Sequence, residues 1–430
     1  MSSGTRVNSR IDEFRAAVAS RIDAEAWAEG FAVDGALPAV VVEPRSEADV
    51  ASVLAEAQAA GLSIVAVGAG QHLTIGNPPE RYDVALSMRR LNRVIAHEPA
   101  DLTVTVEAGT SFGDLGLTLS PHNQFLPVDP PGGGATVGGL VAANLSGPLR
   151  HAYGTIRDWL IGVRVAHADG RISKAGGRVV KNVTGYEMTK LYTGSLGTLG
   201  VVTEATFKLA PLPPVRCTVV CTTHSAHAAS TLLFAARDAG LSLEAAELLS
   251  PPAAFAVLGE ARWSVLMRLG GVRGGVDRTM RELGTYANGL GGAADEVRDD
   301  AWERWYTAFA LERLSLRVSV SPTSVPEVVE VLDRRFAGAA AMLSATAGVG
   351  VIRAKLSPSA EERAGALVDH ARELVSAHGG SVVVEAAPPS YKREHDVFSP
   401  LRADFAIMKR LKDEFDPKRT LSPGRFVGRL

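Results

Sequence analysis

Asp129-Pro-Pro-Gly-Gly-Gly-Ala-Thr-Val-Gly-Gly139, followed by Gly147-Pro148 and by Gly194-Ser-Leu-Gly-Thr-Leu-Gly200-Val-Val202, decides how this chain is read. A further turn, Gly68-Ala-Gly70, lies upstream. Glycine loses more backbone freedom on folding than any other residue, so tight clusters of it mark a main chain that must lie close to something. Clusters of this kind in one stretch predict a lobe wrapped on a large ligand carrying phosphates. Gly68-Ala-Gly-Gln-His-Leu73 follows the apolar run Leu62-Ser-Ile-Val-Ala-Val67, and adjacent N–H groups in such a turn can form an anion nest. Two features argue against a Rossmann fingerprint: Leu73 stands in the third glycine's place, and Gly76-Asn-Pro-Pro79 interrupts the helix that fold needs. A P-loop is excluded because no Gly-Lys-Ser/Thr occurs. Alone, Gly68-Ala-Gly70 reads as a plain strand end, and Thr136-Val-Gly-Gly139 reads equally as a surface loop or as a small-residue bed for a flat ligand. It is their combination and order that favour the ligand.

The 430 residues are 46% hydrophobic and 21% charged, an ordinary globular composition with room for two or three domains. A net charge of −2 and only 6% aromatic residues argue against nucleic acid or an anionic membrane surface as partner. Cys217 and Cys221, on one face of a strand, would stand about 13 Å apart, too far for a disulfide, which fits a reduced cytoplasmic setting. Met-Ser-Ser-Gly-Thr-Arg opens a polar stretch with no signal-peptide core, and no run of 18 apolar residues exists. Direct membrane insertion is not expected. A peripheral link to the inner membrane would run through partners.

Val7, Ile11, Phe14, Val18 and Ile22 recur at helical spacing and predict an amphipathic N-terminal helix. A strand is expected over 39–43. A helix should follow, starting at Ser46 with Asp49 three residues on, buried through Val50, Val53, Leu54 and Ala57 and ended by Gly61. The strand 62–67 completes a β-α-β unit. Short β-rich runs at 102–107, 160–166 and 200–208 give a mixed α+β lobe, and Pro211-Leu-Pro-Pro214 marks its boundary. Beyond it, strand-like runs at 216–222, 263–269, 314–320, 341–347, 350–356 and 381–385 are separated by helical runs at 226–239, 275–288, 325–336 and 359–377. That spacing suits an antiparallel sheet with helices on one face. The expected segments are 1–37, helical; 38–213, the ligand-binding lobe; 214–390, the second domain; and 391–430, with a helix near 400–414.

In these residues the chain resembles the FAD-binding domain of the PCMH type, shared by vanillyl-alcohol oxidase, p-cresol methylhydroxylase and the flavin subunits of glycolate oxidase. The resemblance covers residues 38–213 and the tail at 408–426. It is nearest to the smaller flavin subunits of bacterial glycolate oxidase, through Asp129-Pro-Pro-Gly132, Leu145-Ser-Gly-Pro148, Lys181-Asn-Val-Thr-Gly-Tyr186 and Gly194-Ser-Leu-Gly-Thr-Leu-Gly200. It implies an α+β fold: a PCMH-type FAD-binding domain, a cap of antiparallel sheet and helices over the ring, and a tail that returns to the FAD domain. It implies that Val67, Gly68, Ala69, Gly70, Gln71 and His72 hold the FAD pyrophosphate through backbone donors. Pro130, Pro131, Thr136, Val137, Gly138 and Gly139 would line the flavin and its diphosphate. Asn144, Ser146, Tyr153 and Gly154 would wrap the isoalloxazine, and Gly197, Gly200, Val201 and Val202 would close on the adenine–ribose side or the ring edge. Arg157-Asp158 reads as a structural ion pair.

The chain departs from that family at two points. Members with covalent flavin carry a histidine where this chain has Gln71, with His72 one position off, so FAD is expected to be non-covalent. The histidine-rich metal cluster of related larger subunits has no counterpart in the sequence. His224 and His227 read as a solvated turn, and no metal is expected.

Oxidation of an alcohol by flavin delivers hydride to N5 while a base takes the hydroxyl proton, and a 2-hydroxy acid also needs a cation for its carboxylate. Leu314-Ser-Leu-Arg-Val-Ser-Val320 alternates, with Arg317 on its polar side, and Val351-Ile-Arg-Ala-Lys-Leu356 puts Arg353 and Lys355 on one face. Neighbouring strands would give three cations one face over the flavin, although a solvated sheet face is the plainer reading. His395 is the candidate base, against the plainer reading of a surface histidine. The resulting expectation is FAD-dependent oxidation of a glycolate-like 2-hydroxy acid, as a subunit that passes electrons to a second flavin subunit or an iron–sulfur subunit. Two alternatives stay open: a free-standing oxidase or dehydrogenase of another alcohol, and a non-catalytic FAD-binding electron relay.

Overall fold

The computed structural model describes all residues except 1–2, 21, 24–27, 178–185, 312–313 and 399, with backbone alone at 3–8 and 22–23. Residues 181–185 of the Lys181-Asn-Val-Thr-Gly-Tyr186 motif therefore lie outside the described residues. Helix Ser3–Val18 buries Ile11, Phe14 and Val18 against Val50, Val53 and Leu54 of helix Glu47–Ala60. It ends before Ile22, which instead begins a two-residue strand paired with Pro44.

Local signals set the second helix. The Ser46 hydroxyl accepts from Asp49 N at 3.2 Å, and Gly61 closes the other end at φ 67°. The flanking strands Val40–Pro44 and Ile64–Val67 are not neighbours, because Val84–Ser87 lies between them, parallel to both. All four residues of that middle strand are buried, as expected where both faces of a parallel strand are covered. A five-stranded antiparallel sheet follows, in the order Val94–Glu98, Thr103–Glu107, Val201–Lys208, Leu160–Ala166, Ile172–Gly176. Helix Val137–Ala143 packs Leu140 and Val141 into the same core as Val106, Val165 and Phe207.

The remaining large sheet has eight strands. Their order is Ala293–Val297, Val215–Thr223, Trp263–Gly271, Leu243–Leu249, Met342–Thr346, Val351–Leu356, Leu314–Ser319, Ser381–Ala386. The first and fourth of these were not foreseen. Leu-Glu-Ala-Ala-Glu-Leu-Leu at 243–249 has the composition of a helix, but all seven residues are buried and tertiary context overrides propensity. Helices Ala226–Asp238, Arg273–Gly289, Val325–Phe336 and Ala364–Ala377 share one face. The expectation of helices on one face alone is corrected by Pro251–Leu258 and Asp300–Ala308. These pack on the opposite face, against Val220, Ala245, Leu249 and Leu266. The other half of that face is turned toward the glycine-rich lobe.

The tail docks on the glycine-rich lobe. Ile64 N donates to Thr420 O and Ser422 N to Ile64 O, each at 2.7 Å. The buried Lys412 ammonium donates to Asp416 (2.7 Å), Thr198 O and Leu421 O (2.8 Å each). Among the described residues no helix is long and apolar enough to cross a membrane.

Candidate active site

The glycines of the first lobe serve first to let turns meet one another. A Cβ on Gly68 would stand 2.0 Å from Thr136 Oγ1, one on Gly138 2.8 Å from the Ala108 Cβ, and one on Gly200 2.3 Å from Val165 Cγ1. Strand Ile64–Val67, the turn after it, the Thr136-capped helix and the start of strand Val201–Lys208 thus close into a shallow bed of small residues. The cleft above that bed has about 880 Å³ of empty space counting its mouth. Arg425, from the tail, lines its edge. Its buried guanidinium donates through Nη2 to Leu73 O (2.9 Å) and Ile75 O (2.5 Å), while the buried Nη1 has no hydrogen-bond partner among the described residues. Burial holds the Arg425 pKa below its ordinary value. A bed that only small side chains permit, main-chain donors in a turn and an unsatisfied buried cation fit a flat cofactor bearing a diphosphate.

A second cleft, of about 980 Å³ counting its mouth, opens where the lobe meets the cap. It joins the first at His72, Ala143 and Leu196, which line both. Strand periodicity supplies its cap side. Leu314, Leu316 and Val318 point into the cap core, so Ser315 and Arg317 point out. Ile352, Ala354 and Leu356 likewise leave Arg353 and Lys355 outside. The register makes Arg317 the direct partner of Arg353, and Ser315 that of Lys355. Like charges side by side repel. Two oxygens relieve this: Arg317 Nε donates to Glu385 Oε1 and Arg353 Nη2 to Ser146 O, each at 2.7 Å. Arg353 is only 7% exposed, so a solvated sheet face does not describe it. Beneath it the fully buried Glu247 accepts from Ser344 and Thr346; burial raises its pKa and the Arg353 charge opposes the rise.

Opposite these cations, on the lobe, Arg150 also faces the cleft. Its backbone is fixed by Asp129, which takes Leu149 N at 3.0 and 3.1 Å and the Tyr306 hydroxyl of the cap at 2.7 Å. Burial pushes the Asp129 pKa up to about 7 against these hydrogen bonds. His72 Nε2 lies 3.4 Å from Pro131 O. A carbonyl only accepts, so the neutral tautomer with its proton on Nε2 leaves Nδ1 an acceptor. Burial holds the His72 pKa below its ordinary value, with the Pro131 carbonyl and the Glu385 charge opposing.

Of the residues singled out from the sequence, Val67, Gly68, Ala69, Gly70, Gln71, His72, Thr136, Gly138, Gly139, Gly197, Gly200, Val201 and Val202 line the first cleft. Pro131, Asn144, Ser146, Arg317, Arg353 and Lys355 line the second. Five line neither. Pro130 is buried and Val137 sits inside the lobe core. The Tyr153 hydroxyl is spent on Glu244 Oε1 at 2.6 Å, where Arg216 also binds. Gly154 turns against Asp158. His395 stacks on Tyr391, with centroids 4.4 Å apart and planes 8° from parallel, so it is not placed to act as a base. Asp158 closes a capping box with Thr155, and Arg157 acts on it only through its charge. Gln71 lies exposed against Gly134, and His72 is the histidine at the junction. Arg150, Ser315, Glu385 and Arg425 were not foreseen. The Ser422-Pro-Gly-Arg425 turn was the one available signal, and for Arg150 there was none.

Residues 38–176 match the FAD binding domain family, and residues 296–426 match the C-terminal domain of FAD linked oxidases. Glycolate oxidase subunit GlcD of Bacillus subtilis is 27% identical over 429 residues, covering 91% of this chain and 90% of that protein. Glycolate oxidase subunit GlcE of Escherichia coli is 28% identical over 362 residues, covering 80% and 87%. The mitochondrial D-lactate dehydrogenase [cytochrome] of Arabidopsis thaliana is 34% identical over 213 residues, but the match spans only 37% of that protein. In fold, the chain superposes on substrate-bound p-cresol methylhydroxylase with a TM-score of 0.76 at 17% identity, covering 99% of this chain and 97% of that one.

Proposed function

We propose, from the match of the chain to the FAD binding domain and to the C-terminal domain of FAD linked oxidases, that it acts on a CH–OH group and oxidises a 2-hydroxy acid of glycolate-like chemistry. The observation that carries the reading is the cation-lined cleft between the lobes, which opens at His72 onto the cofactor cleft. Bound FAD supplies a hydride acceptor at N5. The turns at 67–72, 136–139 and 197–202 hold it, with Arg425 offering its unpaired Nη1. Arg317 and Lys355 receive the substrate carboxylate, and Glu385 steadies Arg317. Arg353, tied to Ser146 O, keeps the cap seated on the lobe. His72 takes the hydroxyl proton on Nδ1, and burial keeps it neutral and ready to do so.

The FAD is non-covalent in this reading, since Gln71 stands where covalent members carry the histidine, His72 Nε2 turns to Pro131 O, and both cysteines lie on the cap strand Val215–Thr223. Electrons leave through a second flavin subunit or an iron–sulfur subunit, as befits relatives that are themselves subunits. Steady-state turnover with an artificial electron acceptor tests the reading. Glycolate or lactate should support reduction and simple primary alcohols should not. Turnover of alcohols lacking a carboxylate would point to a free-standing alcohol dehydrogenase instead. No turnover with either would point to an electron relay.

A further inference from the structure

The turn that lines the first cleft is shaped from behind by an exposed arginine. Strands Ile64–Val67 and Val84–Ser87 run parallel with Val67 beside Ser87, so the turns that leave them, 68–72 and 88–91, start side by side. The second turn is fixed. Met88 N donates to Val67 O at 2.9 Å and Gly109 N to Leu91 O at 2.7 Å, and a Cβ on Gly109 would stand 1.9 Å from Met88 O. From this turn Arg89 reaches back to the first. Its Nε donates to Gly68 O at 3.1 Å and its Nη2 to Ala69 O at 3.4 Å. Its guanidinium carbon lies 5.4 Å from the centroid of the buried Phe31 ring, which gives the planar fork a seat.

An exposed arginine ordinarily contributes little, but the atoms that Arg89 holds give it reach. In a trans peptide the C=O and the next N–H point in opposite directions. With the oxygens of Gly68 and Ala69 turned to Arg89, the N–H groups of Ala69 and Gly70 are aimed away from it, on the cleft side of the turn. The N–H groups of Ala69, Gly70, Gln71 and His72 meet no acceptor among the described residues. Gly70, at φ 84°, makes the bend that brings them together. Four successive donors without partners, backed by a cation on two of the carbonyls, suit an anion of more than one charge.

We propose that Arg89 is a positioning residue for the FAD diphosphate: by holding the Gly68 and Ala69 carbonyls it aims the amides of the turn at the phosphates, and it adds its charge behind them. This rests on the placement of the diphosphate at the turn 67–72 proposed above, and it holds whatever the substrate is.

The test is titration of the full-length protein, freed of flavin, with FAD and with riboflavin, which has the ring but no phosphate, over a series of salt concentrations. Arg89→Met should bind FAD about 3- to 10-fold more weakly at low salt. Its FAD affinity should also depend less on salt, and its affinity for riboflavin should equal that of the unaltered protein. Arg89→Lys keeps the charge but not the fork, so it should keep the salt dependence and recover part of the affinity. Undiminished FAD affinity in Arg89→Met would overturn the proposal, as would an equal loss for FAD and riboflavin, which is what a merely structural role produces. Gly70→Ala, strained at its positive φ, separates the two layers. If it weakens FAD while Arg89→Met does not, only the role of Arg89 is wrong. If neither weakens FAD, the diphosphate does not lie at this turn and that placement falls as well.

Discussion

Replacing Gly68 by alanine tests whether contact between the turns shapes the cofactor bed. Gly68 does not have a positive φ, so an alanine there meets no backbone strain. Its methyl group would, however, lie 2.0 Å from Thr136 Oγ1 and 3.1 Å from Thr136 Cβ. The turn must move, and overpacking of this kind costs about 1–3 kcal/mol. Expressed as lost cofactor affinity, that is roughly 5- to 150-fold. Thr136→Ala alone removes the cap hydrogen bond to Gly139 N, 3.3 Å long, at about 1 kcal/mol. In the double variant the 2.0 Å contact is gone and only the 3.1 Å contact remains, so the two losses must not add. The assay is titration of flavin-free protein with FAD, followed by flavin fluorescence, for both single variants and the pair. A double variant whose loss equals the sum of the singles would refute the reasoning.

Other consequences follow from the same geometry. The rate with a 2-hydroxy acid should rise with pH through a pKa below the ordinary histidine value and be level at neutrality, and His72→Asn should cost about 10²–10⁴-fold and erase that acid limb; a pH–rate profile decides it. Asp129, with its folded pKa raised from 3.8 to about 7, binds a proton in the folded state that the unfolded chain has released, so its contribution is full below pH 4 and is lost as pH rises toward 7. The stability of Asp129→Asn relative to the unaltered protein should therefore grow across that window by up to about 4 kcal/mol, and a difference that stays flat in denaturant titrations would count against the assignment. Acid precipitation of the holoprotein should leave the flavin in the supernatant, whereas a yellow pellet would mean a covalent link.

What the sequence made legible was local or periodic. Ser46, Asp49 and Gly61 mark a helix through contacts inside one turn at each end. The alternation at 314–320 and 351–356 put Arg317, Arg353 and Lys355 on one face before any partner strand was known. What it hid depended on distant residues. Leu243–Leu249 has helical composition and becomes a strand because both its faces are covered. Arg150 faces the cleft opposite cations on a strand about two hundred residues away, and no spacing announces that. Tyr153 and His395 lie near site residues in sequence, but Glu244 and Tyr391 engage them elsewhere. The glycines were read as places where backbone meets ligand. Gly68, Gly138 and Gly200 line the cofactor cleft, and each also brings backbone against Thr136, Ala108 or Val165, which shapes the bed.

Anaerobic mixing of the FAD-loaded protein with a 2-hydroxy acid, followed through the visible flavin absorbance, puts the joined clefts to the most direct trial. Bleaching that saturates with acid concentration, and that needs far more acid in Arg317→Gln, is the expected result. A flavin that stays oxidised with every 2-hydroxy acid, in a protein that holds one FAD per chain, would contradict it.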